Sequence, residues 1–176
     1  MGNSAQPIST TLLPGAYLDP GVRMLRQLQT YNFPQTVTST TVVATANSIP
    51  QRSSGDEIFS WNFTPYSTNS IIEVEIQTNI CPSASSNFWV ALFNDYSNDA
   101  MAVLPCSNTA AAAAFTTFPV IFKHYFQPQA TVSTRYSLRA ANASTISLIF
   151  NYFAYGGRNA SRITMKEWSS PSLTNT

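Results

Sequence analysis

The clearest pattern in the chain runs from Ile49 to Phe63. A polar turn, Gln51-Arg52-Ser53-Ser54-Gly55-Asp56-Glu57, leads into alternation, with Phe59, Trp61 and Phe63 on one side and Ser60 and Asn62 on the other. Successive side chains of a strand leave opposite faces of the backbone, so this spacing predicts a half-buried strand. Three aromatics on one face, each burying roughly 150–250 Å², mark that face as core. The same reading extends along the chain. Residues 36–46 are rich in β-branched side chains, which suit a pleated surface. Residues 70–80 set Ile72, Val74 and Ile76 against Glu73, Glu75 and Gln77, one face buried and one wet. Residues 87–94 are apolar on both sides, Phe88, Val90 and Leu92 against Trp89, Ala91 and Phe93. That predicts a central strand, or one whose outer face meets a partner.

Further strands are expected over 100–104, 118–126, 131–140, 145–153 and 161–168, with Gly156-Gly157 as the turn before the last. Residues 110–114 are alanines, but Thr109 and the Phe115–Phe118 flank favour a loop or a single turn there. The result is about nine strands with no helix to cover a parallel sheet. The expected fold is all-β: an antiparallel two-sheet β-sandwich of jelly-roll type over residues 36–168, with 169–176 as a tail.

Residues 1–35 differ. Pro7, Pro14, Pro20 and Pro34, with Gly15 and Gly21, interrupt any long element. One short helix is expected over 20–30, with Asp19 as its cap, Pro20 at its first position, and Leu25 and Leu28 on one face. Leu12, Leu13, Tyr17, Leu18, Leu25, Leu28 and Phe33 are too apolar a set for a solvated tail, so the segment reads as a docking arm.

Composition narrows the function. Only 10% of residues are charged, while 12% are aromatic and the net charge is +1. Such a chain is not of the disordered type. Its nine scattered basic residues argue against nucleic acid, which needs them in clusters. No apolar run is long enough to span a bilayer, and residues 1–11 lack the basic start and apolar run of an export signal, so a soluble protein is expected. Cys81 and Cys106 are too few for a disulfide framework and are expected as free thiols.

Candidate chemistry is sparse, and neither an enzyme nor a cofactor is expected. His124, the single histidine, shares the parity of Phe122 and Phe126 and reads as a core or edge residue. Asp95-Tyr96-Ser97-Asn98-Asp99 starts like a calcium loop but lacks its later glycine and glutamate, so an Asx-stabilised turn is expected. Glu73 and Glu75 read as a wet face rather than a catalytic pair, and Asp56-Glu57 as the start of a strand. Three Asn-X-Ser/Thr matches, at Asn62, Asn142 and Asn159, are what so Asn- and Ser-rich a chain yields by chance.

The ordered series Ile49-Pro50-Gln51, Gly55-Asp56-Glu57, Thr64-Pro65, Ile71-Ile72-Glu73-Val74, Ala91-Leu92-Phe93-Asn94-Asp95 and Ala100-Met101-Ala102, closing on Gly156-Gly157 and Ser161–Trp168, resembles a β-sandwich module of tailed-phage virion proteins. The resemblance implies a trimeric, non-enzymatic part of a virion surface. The sequence has neither the heptads nor the Gly-X-Y repeats of a fibre shaft, which favours capsid decoration (a cement protein docked on the major capsid protein or other virion subunits) over a tail-fibre knob. The second expectation is a receptor-binding module for host glycan or protein. Trp89, Phe93, Tyr125, Tyr155 and Trp168 are the candidates for a trimer interface or ligand surface.

Overall fold

The computed structural model describes residues 23–33, 35–43, 48–108, 117–154, 157–158 and 161–169. The strands in chain order are β1 (Leu25–Phe33), β2 (Val37–Ser39), β3 (Asp56–Phe63), β4 (Ile71–Pro82), β5 (Ser86–Asn94), β6 (Ala102–Asn108), β7 (Phe118–Phe126), β8 (Thr134–Asn142), β9 (Leu148–Phe150), β10 (Phe153–Ala154), β11 (Gly157–Arg158) and β12 (Ser161–Trp168). A 3₁₀ turn, Arg52–Ser54, precedes β3.

In the 6-stranded sheet, β4 is the spine. β7 pairs along one side of it, and the other side is shared end to end by β12 and β9. β1 and β2 form the next row, against β12 and β9 respectively. The second sheet has the order β3-β8-β5-β6. If β1/β2 and β12/β9 each count as one row, the first row of the chain pairs with the last, β3 with β8, β4 with β7 and β5 with β6. This is a hairpin rolled on itself, the jelly roll that the strand pattern predicts. β10 and β11 form a separate small hairpin.

Rows β1/β2 and β12/β9 are broken at the same level, and Asn151 fills the break. Its φ of 55° lies in the left-handed region, which asparagine tolerates better than most residues. The buried amide donates to Phe33 O at 2.5 Å and Gln35 O at 3.1 Å, its Oδ1 accepts from the Ser161 hydroxyl, and its backbone N–H reaches Asn79 O at 3.0 Å. The carbonyls that the broken ladder leaves over are thereby satisfied, as buried backbone requires.

Between the sheets the core is aliphatic on the β4 side, with Ile72, Val74, Ile76 and Ile80, and aromatic on the β3 side. A run of rings, Phe33, Phe59, Trp61, Tyr136 and Phe126, crosses it with successive centroids 4.6–6.0 Å apart. The Trp61 indole N–H points at Met165 Sδ, 2.8 Å away. His124 stacks on Phe126 and faces inward, in keeping with its parity, and burial lowers its pKa.

Two expectations are corrected. No helix forms over residues 25–30. Leu25–Phe33 is strand β1, because Leu25, Gln27, Gln29, Tyr31 and Phe33 alternate inward and β12 offers an edge to pair with. Phe33 is therefore core, Leu25 is half-buried at the sheet edge and Leu28 points outward, 41% exposed. The second correction concerns residues 36–46, where among the described residues the expected long strand is only Val37–Ser39. Beyond it Thr41 and Val43 bond Asn142 at the end of β8, and residues 48–51 lie against the outer face of β5.

Candidate functional site

The second apolar face of β5 decides the geometry here. β5 is central, between β8 and β6, and its outward residues are Asn87, Trp89, Ala91 and Phe93. Ala91 and Phe93 are fully buried even though they point away from the core. Their cover comes from the chain itself. After β2 the chain first pairs beside β8, where Val42 bridges Asn142 in parallel and Val43 N–H bonds Asn142 O at 2.8 Å. Over residues 48–55 it lies beside Trp89 on this face, held where Ala100 N–H bonds Pro50 O at 3.0 Å and Arg52 N–H bonds Asn98 O at 2.8 Å. The Arg52 guanidinium holds Asn94 O and Ser97 O and pairs with Asp95 at 3.2 Å. The Asp95–Asp99 turn is closed by Asn94 Oδ1, which accepts from Tyr96 N–H and Ser97 N–H, and by Ser97 Oγ, which accepts from Asp99 N–H.

The excursion is fastened at both ends. At its start the Asp56 carboxylate accepts from the Ser39 hydroxyl (2.9 Å), Thr40 N–H (2.9 Å), Thr41 N–H (3.0 Å) and the Thr41 hydroxyl (2.6 Å). Burial pushes the Asp56 pKa up, but the bonds from Thr41, Thr40 and Ser39 together outweigh it and hold the group below its ordinary value. At its end Gly55 slides between Trp89 and β8. A Cβ there would meet Trp89 Cη2 at 2.6 Å and Ala140 O at 2.8 Å, so close approach demands glycine at this position. Arg139 reinforces the contact through Gly55 O at 2.8 Å and Glu57 at 3.0 Å.

Between the excursion and β6 lies a cleft of about 480 Å³. One wall is Ile49, Pro50, Gln51 and Ser54; the floor is the outer face of β5 and β6, including Trp89, Val103 and Pro105. Pro105 lies on an edge strand, where a missing N–H is tolerated. Cys106 borders the cleft, and burial raises its thiol pKa to about 11. Both cysteines are free, as expected from the sequence, and they lie in different sheets.

The opposite side of the sandwich is built differently. On the outer face of the larger sheet, Lys166 and Lys123 bracket Glu73 and Glu75, with Lys166–Glu73 and Lys123–Glu75 both at 2.9 Å. The Trp168 indole N–H donates to Glu73 at 3.2 Å. Glu73, Glu75 and Gln77 thus form the polar face that alternation predicts. Ile121 and Tyr125, on edge strand β7, are 60% and 55% exposed.

The expected interface residues therefore do not converge. Trp89 and Phe93 belong to one outer face, Tyr125 and Trp168 to the other, and Tyr155 lies outside the described residues, as do Leu12, Leu13, Tyr17 and Leu18. Phe93 is removed from any surface by the excursion. The cleft beside Trp89 went unread in the sequence because its wall comes from residues with no periodic pattern. Among the described residues no group of three His, Cys, Asp or Glu side chains could hold a metal ion, and no helix is long and apolar enough to cross a membrane.

No protein-family model matches the chain, and none of the curated proteins does. Solved structures give distant likenesses. One is the EclA C-terminal domain, a sugar-binding protein (TM-score 0.34, 14% identity, 84% of each chain covered). Another is the infectious bursal disease virus Gx strain structure (TM-score 0.36, 12% identity, 91% of this chain and 42% of that one). A third is the T13 particle of the same virus (TM-score 0.35, 13% identity, 90% and 40%). The chain spans about two fifths of the viral chains it resembles. At these values the likeness carries no functional argument, which rests on the chain's own residues.

Proposed function

We propose that this chain is a structural, non-enzymatic subunit of a virion surface: a capsid decoration protein whose leader docks on the subunits of the shell. The observation that carries the reading is the corner where the chain joins the sandwich. Met24 N–H bonds the Ser169 hydroxyl at 2.9 Å, and Ser169 N–H returns to Met24 O at 2.8 Å, so leader and tail meet the block side by side at the end of β1 and β12. A closed jelly roll held at one corner suits a rigid knob tied down by an apolar leader containing Leu12, Leu13, Tyr17 and Leu18. Because β1 takes up Leu25 and Phe33, the docking part shortens to residues 1–22.

Three-fold association belongs to the same proposal, with its support relocated. The apolar surplus of β5 is covered internally and no longer calls for a partner. Ile121 and Tyr125 on β7 remain as the exposed apolar pair suited to a self-contact. A receptor-binding tail part would be better served by pooled aromatics, and the described ones are divided between opposite faces.

The test is decoration of heads stripped of this protein, read by electron cryomicroscopy, using the full chain and a chain lacking residues 1–22. Occupancy by the full chain and none by a truncated chain that still folds is the expected result. Equal occupancy by both would overturn the reading.

A further inference from the structure

We propose that the cleft between the excursion and β6 is a binding site for a neutral saccharide, with Trp89 as its platform. The argument starts from cross-strand register. On the outer face of β5 and β6 three pairs lie in succession: Asn87 with Ser107, Trp89 with Pro105, and Ala91 with Val103. An amide and a hydroxyl thus flank an indole and a prolyl ring, which are followed by an aliphatic patch. A pyranose ring has the matching division, with apolar C–H groups on a face and hydroxyls around its edge. Aromatic faces take the former and amides the latter.

Charge separates this site from the rest of the surface. Among the described residues, no Asp, Glu, Lys, Arg or His lines the cleft. The other outer face carries Lys166, Glu73, Lys123 and Glu75, and the β3–β8 half of this one carries Arg135, Glu57 and Arg139 in ion pairs. A charged ligand would enter the cleft without a counter-charge and lose hydration, so the lining selects a neutral one.

The polar groups are available. Asn87 and Ser107 are exposed, and their side chains make no hydrogen bond among the described residues. Ser54 and Gln51, by contrast, are engaged: Ser54 Oγ accepts from Gln51 N–H at 3.3 Å, and the Gln51 amide holds Asp99. The platform is also fixed, because the outer edge of the Trp89 indole is held beneath Gly55 and a ligand need not order it. A volume of about 480 Å³ falls within the range of small-molecule sites.

The inference does not depend on the leader, and a chain lacking residues 1–22 is expected to bind sugar as the full chain does. The test uses the full chain and the indole N–H resonances of its three tryptophans, assigned by substituting each in turn. The methyl glycosides of glucose, galactose and mannose are titrated as neutral probes, with sialyllactose as an acidic probe and a proline-rich peptide as an extended apolar one. At least one neutral glycoside is expected to move the Trp89 signal and leave those of Trp61 and Trp168 in place, with a dissociation constant on the order of 1 mM. Asn87→Ala and Ser107→Ala, both at exposed positions, are expected to weaken binding by roughly tenfold each without changing the melting temperature. The proposal is overturned if no neutral glycoside moves the signal up to about 50 mM. It is equally overturned if the acidic probe or the peptide binds more tightly, or if both alanine variants bind as the parent does.

Discussion

The two outer faces of this sandwich begin from the same alternating logic and end as different surfaces. On the larger sheet the outward positions of β4 are Glu73, Glu75 and Gln77; cross-strand lysines hold the two carboxylates and Arg162 holds the amide. On the smaller sheet the outward positions of β5 are Trp89, Ala91 and Phe93, and a loop excursion buries the last two. The first face is finished by ion pairs and hydrogen bonds between side chains, the second by the chain's own backbone. An apolar second face therefore does not by itself announce a partner. It announces cover, and here the cover is local in sequence to β3.

That comparison can be broken most forcefully at Phe93. Phe93→Ala empties a fully buried site outside the main core, and the expected loss is about 3–5 kcal/mol in denaturant unfolding. Tyr125→Ala, on the charged face at 55% exposure, is expected to change stability by less than about 0.5 kcal/mol. If the two losses came out alike, the cover over β5 would be illusory. A smaller effect is expected at Gly55, where alanine drives a methyl group against Trp89 Cη2 and Ala140 O. The cost is about 1–3 kcal/mol, as for other overpacked sites, and Trp89 fluorescence should shift as the indole is displaced.

How far the sequence disclosed this arrangement depends on whether the information was local. Phe118–Phe126 and Ser161–Trp168 are legible to the residue, because their apolar parity, Phe118, Val120, Phe122 and Phe126 in one and Ile163 and Met165 in the other, is written in neighbouring positions. β1 was hidden. Asp19-Pro20 before Leu25 and Leu28 imitates a helix start, and the pairing that makes 25–33 a strand lies more than a hundred residues away in β12. Asn151 shows the same limit: nothing in Phe150-Asn151-Tyr152 says that two rows break there and need an amide to bridge them. Trp89 was legible as a candidate surface aromatic. Its cleft was not, because Ile49, Pro50 and Gln51 reach it through an aperiodic loop.

The mildest predictions concern pH and separate the faces by what anchors them. Asp56 fastens the excursion, and its folded pKa lies below the ordinary 3.8. Folding is then favoured above that value, and the contribution is lost as pH falls through the depressed folded pKa, where the unfolded chain takes up the proton first. Asp56→Asn should cost about 1–3 kcal/mol at neutral pH, since donors now face an amide, and should flatten the acid limb of the stability curve. Glu75 on the opposite face has a lowered pKa as well, chiefly through its bond from Lys123, followed by that from Gln77. Its sign is the same, but Lys123 stands in solvent, where salt screens the pair. Glu75→Gln is therefore expected to leave the acid limb nearly in place, and the little it changes should vanish in high salt. The difference left by Asp56→Asn should persist there, because its donors are backbone N–H groups and hydroxyls rather than a mobile cation.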